Sequence, residues 1–258
     1  MKLKTWTIMI IALLSAANVF AQEPQFNTLE LVNTFRLSRT EYEYTYRVVI
    51  DNPGPEMIQL LGKASGGGEG TTILDGEVAF GSVTAGGQAK SSDTITLKHN
   101  RVYPFNPAAI SWSFSGTFQN GLLLPPDPGE EGKVTLTGID SDNDGVRDDI
   151  QRFIVLNYGN NVPLVNALHG QALAQQELMV NGQADKEAAL RAFERYTLAA
   201  GCSSLLEDRN DALVTNRKLR AQLLNTEERY EAYMRADQNL SGETFSVGSQ
   251  TEIEQSCQ

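Results

Sequence analysis

The fold of this chain divides at one stretch: Asp140-Ser141-Asp142-Asn143-Asp144-Gly145-Val146-Arg147-Asp148-Asp149-Ile150-Gln151. An aspartate at every second position can turn alternate carboxylates to one side of a tight loop, and Gly145 supplies the sharp bend that closes it. Hard divalent cations bind such oxygen donors at short range. The stretch therefore predicts a calcium site over residues 139–151. Its predicted ligands are Asp140, Asp142, Asp144, the backbone carbonyl of Val146, Asp148 and Gln151.

The same residues also have an interpretation that involves no metal. Asp148 and Asp149 stand where the following helix begins, and carboxylates there are favoured by the helix dipole and by the free backbone N–H groups. An Asp-rich turn that caps a helix is thus the alternative to a calcium loop.

The loop resembles the calcium loops of thrombospondin type 3 repeats and dockerins. It is half of an EF-hand, since the incoming segment, Lys133 to Thr137, is predicted to be extended rather than helical. The positions that carry the resemblance are Asp140, Asp142, Asp144, Gly145 and Asp148. The chain departs from the family at Gln151, where an acidic residue would close the shell. An amide offers one neutral oxygen, so the expected dissociation constant is on the order of 10⁻⁴ to 10⁻³ M.

Residues 1–21 have the pattern of an export signal. Lys2 and Lys4 form a positive start, Ile8 to Leu14 is an apolar run, and Val19-Phe20-Ala21 places small residues at a cleavage site before Gln22. A retained membrane anchor is the alternative, but the run falls short of the ~20 residues that a span needs. We therefore expect an exported protein, periplasmic or extracellular, with no membrane span after cleavage.

Composition is that of a globular protein, with 41% hydrophobic and 21% charged residues among 258. The formal net charge is -11, and loss of Lys2 and Lys4 with the signal takes it to -13. A chain this acidic lacks the basic stripe that binds phosphates, so nucleic acid is not an expected partner.

Residues 22–120 have the pattern of strands. Glu41 to Val48 alternates polar with aromatic or β-branched residues, the signal of a half-buried strand. Turn residues at Asp51 to Pro55, Gly66 to Gly68 and Ala85 to Gly87 separate about seven short strands. Such spacing predicts an antiparallel β-sandwich.

Part of this half resembles the immunoglobulin-like and fibronectin-type modules of secreted bacterial proteins. The resemblance rests on Asp75 to Val83, Ser92 to Leu97 and the strand that contains Trp112. It implies an immunoglobulin-like sandwich that presents a binding surface, without the cysteine pair of antibody domains.

Residues 121–138 are predicted to be a linker that ends in a short strand. Leu124 to Gly132 contains three prolines and two glycines, which disfavour both helix and ladder and predict an exposed connector. Lys133 to Thr137 is the expected strand.

Residues 152–258 are predicted to form a small helical bundle, because the hydrophobic period changes to 3.6 after the loop. The predicted helices run from Asp149 to Tyr158, from Pro163 to Asn181, from Asp185 to Gly201, from about Asp211 to Leu224, and onward from Asn225-Thr226-Glu227-Glu228. The fold class is therefore α+β multidomain: a sandwich and a helical bundle joined at a calcium loop.

Cys202 and Cys257 are the chain's two cysteines, and both lie in the helical half. In an exported protein such a pair predicts a disulfide, here between the end of the third helix and the C-terminal tail. The sequence has no CxxC spacing to support a redox or metal role.

The sequence contains few catalytic patterns. His99 and His169 belong to no metal-ligand motif, there is no Gly-x-Ser-x-Gly elbow, and the glycine run Gly62 to Gly68 has its lysine in the wrong order for a phosphate loop. We expect a calcium-binding, non-enzymatic protein for binding, adhesion or structure, with a protein or carbohydrate ligand. The alternative is a calcium-dependent secreted hydrolase, or its accessory domain, with a site assembled from scattered residues.

Overall fold

The computed structural model describes residues 23–257. Within that range the first half consists of two antiparallel sheets and the second half of six helices, so the predicted α+β class is confirmed. The export signal predicted over residues 1–21 lies outside the described residues.

Nine strands form the two sheets of the described chain. They are β1 (Gln25–Arg36), β2 (Glu41–Asp51), β3 (Met57–Gly66), β4 (Thr71–Asp75), β5 (Glu77–Val83), β6 (Gln88–Lys90), β7 (Ile95–Asn100), β8 (Ile110–Phe118) and β9 (Leu123–Leu124). The first sheet has the order β1-β2-β7-β4, with β6 also pairing with β2. The second sheet has the order β5-β3-β8-β9.

Strand β2 shows why the alternating sequence forms a strand. Tyr42, Tyr44 and Tyr46 form one row, with ring centroids 6.3 and 6.0 Å apart. The Arg101 guanidinium lies 3.7 Å from the Tyr42 ring centroid and donates to the Tyr44 hydroxyl at 2.5 Å. Further along the same strand, Val48 is fully buried. The strand thus changes from an aromatic surface to a core face along its length.

Six helices follow the sheets within the described range. They are α1 (Asp148–Tyr158), α2 (Val162–Val180), α3 (Lys186–Leu206), α4 (Arg209–Leu223), α5 (Glu227–Asn239) and α6 (Gln250–Ser256). Asn161, Asp185 and Thr226 each accept a backbone N–H as N-caps of α2, α3 and α5. Five of the helices match predicted ones within a few residues at most ends.

The third helix continues beyond its predicted end at Gly201. Gly201 lies inside α3, where a Cβ would come within 3.0 Å of the Ile253 side chain on α6. Its small size therefore serves close helix packing rather than termination. Helix α6 has no counterpart among the predicted helices, although Ser249 and Glu252 form a capping box at its start.

One hydrophobic cluster runs through both halves of the molecule. It includes Val48, Leu60, Ile95, Leu97 and Phe114 from the sheets, and Ile150, Ile154, Leu168, Leu219 and Leu223 from the helices. The halves are thus packed on each other through a shared core. Removing either would expose apolar surface of the other.

The connector between the halves differs from the expectation of an exposed linker with a strand. Leu124 and Pro125 are buried, a 3-10 helix spans Gly129–Lys133, and residues 134–137 form bends. The strand expected over Lys133 to Thr137 is therefore absent. Side-chain hydrogen bonds take the place of strand pairing here, because arginines bind the carbonyl oxygens of the connector.

Arg229 of α5 is fully buried and binds the connector. Its guanidinium donates to the carbonyl oxygens of Gly132 at 2.6 Å, Thr135 at 2.9 Å and Leu136 at 3.3 Å. Burial, followed by the nearby positive charge of Arg147, lowers the pKa of Arg229. The interaction stabilises a backbone that has no ladder of its own.

Arg152 of α1 links the connector to the sheets. It donates to the carbonyl oxygens of Phe114, at 2.7 Å, and of Pro125, and it forms an ion pair with Glu23. Because its side chain is only 6% exposed, these partners replace the water that the guanidinium loses.

The predicted disulfide between Cys202 and Cys257 is confirmed, with a Cα–Cα distance of 5.4 Å. It holds the C-terminal segment on α3, where Phe245 also packs on Phe193 with ring centroids 4.3 Å apart. The bridge closes a long loop, which lowers the entropy of the unfolded chain.

We predict that Arg229→Met lowers the free energy of unfolding by about 3 kcal/mol, because it leaves several buried carbonyls without donors. Urea denaturation measures this change. Arg235→Met is the matched control on the same helix, since Arg235 is exposed and its bonds to Gln183 and Glu231 are at the surface. The control should change stability by less than about 1 kcal/mol. Equal losses in the two variants would contradict the structural role given to Arg229.

Candidate metal centre

Three predicted ligands come together at the loop. One carboxylate oxygen from each of Asp140, Asp142 and Asp148 lies within 4.8 Å of the others. Asp148 is buried, Asp140 is partly buried and Asp142 is exposed. Three carboxylates this close repel one another, and a bound cation removes that repulsion. The cluster can therefore hold a metal ion.

The bend of the loop is held by the first of these carboxylates. Asp140 accepts the backbone N–H of Asp144 at 3.2 Å and that of Gly145 at 2.9 Å. Gly145 has φ +91°, in the left-handed region where a side chain is strained, and Asn143 also has a positive φ of 58°. Glycine and asparagine at these two positions let the chain turn back toward Asp148.

Asp144 contacts α2. One of its oxygens lies 2.8 Å from Nε2 of His169, and the other accepts the Val146 N–H at 2.8 Å. The alternating pattern placed Asp144 among the ligands, whereas the structure engages both of its oxygens in other contacts. Val146 itself is fully buried, so it anchors the loop in the core.

Gln151 lies at the closing position of the loop and is 8% exposed. Its Nε2 donates to Asp142 at 3.1 Å. Its Oε1 is buried and has no hydrogen-bond partner among the described residues. A buried acceptor without a donor is costly, and a cation is one group that satisfies it. Gln151 thus lies beside Asp142 and has a buried amide oxygen without a donor.

Asp148 begins α1 and closes the loop from the other side. Its carboxylate accepts the backbone N–H of Ser141 at 2.9 Å and the Ser141 hydroxyl at 3.1 Å. Burial raises the pKa of Asp148, the Ser141 bonds oppose that rise, and the charges of Asp142 and Asp140 add to it. Without a metal, this carboxylate is ionised only at a cost.

Helix α2 supports the loop through residues that the motif did not reveal. Gln176 accepts the Arg147 N–H at 3.1 Å and donates to the Gly145 carbonyl at 2.8 Å. Leu173 lies beside Gly145, where a Cβ would come within 2.7 Å. With His169, these side chains lie on one helical face. Their spacing could have identified that face, but only packing shows that it meets the loop.

Arg147 ties the loop to the end of α4. Its side chain, 1% exposed, forms an ion pair with Asp149 at 2.8 Å and donates to the carbonyl of Leu223 at 3.3 Å. A cation near the last carbonyls of a helix is favoured by the helix dipole. The loop is therefore braced by α2 and α4 as well as by its own sequence.

Both histidines make structural contacts: His169 with Asp144, as described above, and His99 inside the β-half. His99 is 3% exposed, with Nδ1 at 2.9 Å from the Thr71 hydroxyl and Nε2 at 3.1 Å from the Tyr103 carbonyl. Both ring nitrogens are thereby engaged inside the β-half.

Across residues 23–257, the helices lack the combination of length and apolar character that crossing a bilayer requires.

No protein-family model matches the chain. A comparison with curated proteins likewise finds no match.

We predict a pH dependence that arises from Asp148 in the metal-free protein. A carboxyl whose pKa is raised by folding binds its proton more tightly in the folded state. Its contribution to stability therefore falls as the pH rises from the ordinary carboxyl value, about 3.9, through the raised folded value. In EGTA, Asp148→Asn should remove this fall in stability. The difference in unfolding free energy between the wild type and Asp148→Asn should therefore change over that pH range.

Asp208→Asn is the control for the pH experiment, because Asp208 is exposed and makes no side-chain capping bond. Urea denaturation at several pH values measures all three proteins. A difference between wild type and Asp148→Asn that does not vary with pH would contradict the effect of burial.

Proposed function

We propose that this chain is an exported calcium-binding protein with a binding or structural role, in which calcium fixes the loop between the sheets and the helices. The observation that carries the proposal is the cluster of three carboxylates, beside which Gln151 lies through its Nε2 bond to Asp142 with its own Oε1 left without a partner. The cysteine pair fits an oxidising compartment, as does the export pattern of residues 1–21.

The chemistry of the donor set favours calcium. Carboxylate and amide oxygens are hard donors, and the cluster contains neither a thiolate nor an imidazole. Calcium accepts six to eight oxygens in flexible geometry, whereas magnesium needs a nearly ideal octahedron and keeps its waters. Asp140, Asp142, Asp148 and Gln151, with the Val146 carbonyl, would hold the ion. The weak affinity expected of an amide-closed loop matches millimolar calcium outside the cell.

The position of the loop supports a structural role for the ion. The loop follows the connector held by Arg229 and leads into α1, which contributes Ile150 and Ile154 to the shared core. An ion that reduces repulsion here would stabilise the junction of the two halves. The β-half, in an immunoglobulin-like arrangement, would then present a surface to a protein or carbohydrate ligand.

We predict that calcium raises the melting temperature of the mature protein. At free calcium about tenfold above the dissociation constant, the added stability is about 1.4 kcal/mol. Thermal melts in EGTA and in millimolar calcium measure the shift. Asp142→Ala should abolish it, because Asp142 is a member of the carboxylate cluster. Asp208→Ala, which removes an exposed carboxylate elsewhere, should keep it. Superimposable wild-type melts would disprove the calcium proposal.

We predict that Gln151→Glu binds calcium more tightly, by roughly tenfold, since it adds an anionic and potentially bidentate donor at the closing position. Isothermal titration of both proteins measures the affinities. The new charge also interacts with the dipole of α1, but that effect persists in EGTA and so is separated from coordination. An unchanged affinity would show that Gln151 is not the closing ligand.

A further inference from the structure

The outward face of the second sheet carries a groove with the shape of a binding site. Two depressions, of about 430 and 870 Å³, adjoin on this face and share Leu61, Ala79, Ser115 and Pro126. We call the pair the sheet groove. Its floor is formed by small outward residues of β5 and β8, among them Gly81 and Ser113. Volumes of this size are typical of ligand sites.

The groove follows the direction of β3. Gln59 lines its first depression, Leu61 lies where the two meet, and Lys63 and Ser65 line the second. Six residue steps along a strand cover about 20 Å. An extended segment of about six residues would therefore fill the groove from end to end.

One wall of the groove is the connector, and that wall is fixed in place. Arg152 binds the Pro125 carbonyl, the Asp127 N–H donates to the Ser113 hydroxyl at 3.1 Å, and Arg229 binds the Gly132 carbonyl at 2.6 Å. A wall held from both sides does not have to be ordered by a ligand. Such preorganisation reduces the entropic cost of binding.

The two ends of the groove differ in chemistry. The first depression has no ionisable side chain in its lining, and Leu61 and Leu123 are 53% and 38% exposed there. The second is lined by five carboxylates and a single ammonium: Glu77, Asp93, Asp127, Glu130 and Glu131, with Lys63. Lys63 is itself 3.4 Å from Glu77. Lys133 also pairs with Glu130 at 2.6 Å. The groove thus runs from an apolar end to an acidic end, where the carboxylates still outnumber the lysines.

From this gradient we infer that the sheet groove binds an extended segment of a partner protein, with a large apolar residue at one end and lysine or arginine at the other. The apolar residue would lie against Leu61 and Leu123, and the cations would meet the carboxylates near Glu131. Charge complementarity of this kind selects a cationic partner and repels anionic ones, including a second copy of this acidic chain. The inference rests on the proposed binding role, and it specifies the partner.

The probe is a fluorescein-labelled octapeptide with two leucines at one end and three lysines at the other, used in both orientations. A matched peptide has glutamates in place of the lysines. Fluorescence anisotropy in millimolar calcium should give saturable binding of at least one lysine peptide, weakened by salt, and no binding of the glutamate peptide.

Two variants locate the binding. Ser115→Tyr fills the floor where the depressions meet without changing charge, and tyrosine suits an outward strand position. Glu131→Lys reverses a charge on the exposed part of the wall. Each should weaken binding by roughly tenfold or more. Glu194→Lys makes the same charge change on an exposed position of α3 and should leave the affinity within about twofold of the wild type.

The outcomes separate this inference from the calcium proposal. Loss of binding in the groove variants, with the calcium-dependent melting shift retained, supports the inference. It is overturned if neither lysine peptide binds, if Glu194→Lys weakens binding as much as Glu131→Lys, or if a neutral gluco-oligosaccharide displaces the peptide. If Ser115→Tyr does not fold, Glu131→Lys and its control decide. Cleavage of the peptide, seen by mass spectrometry, would instead contradict a non-enzymatic role while leaving the calcium shift untouched.

Discussion

Buried arginine side chains bind the carbonyl oxygens of a connector whose regular structure is one short 3-10 helix, and the junction of the two halves depends on them. The connector passes between the sheets and the helices without a ladder, so its carbonyl oxygens need other donors. Arg152 and Arg229 supply those donors from α1 and α5. A guanidinium suits this task because its five N–H groups point in several directions from one rigid plane.

The acidic loop that contains Asp140, Asp142 and Asp148 adds the opposite charge to the same junction. Asp140, Asp142 and Asp148 concentrate negative charge, while the nearby Arg147 is buried and paired with Asp149. Burial keeps the electrostatic interactions strong, so each unpaired charge is costly. A cation at the carboxylates would complete this balance. Stability of the junction and occupancy of the loop would then be coupled.

The position of the connector also creates the sheet groove. Because Pro125 and Gly132 are both held by arginines, the residues between them stand along the outward face of the second sheet. Small side chains on β5 and β8 leave space beneath. One constraint, the satisfaction of connector carbonyls, therefore links the packing of the halves to the shape of the proposed binding surface.

The sequence by itself determined the local features of this protein. Hydrophobic period separated strands from helices, Thr226 acted as the cap of α5, and the Cys202–Cys257 pair formed the disulfide. Each of these features depends on residues that are neighbours in the chain or, for the disulfide, on there being a single other cysteine. Tertiary structure decided the rest: the connector lost its predicted strand, and Asp144 turned to His169 instead of joining the cluster. Those outcomes depend on donors 25 to 97 residues away, and no local pattern encodes which distant side chain will meet a given carbonyl or carboxylate.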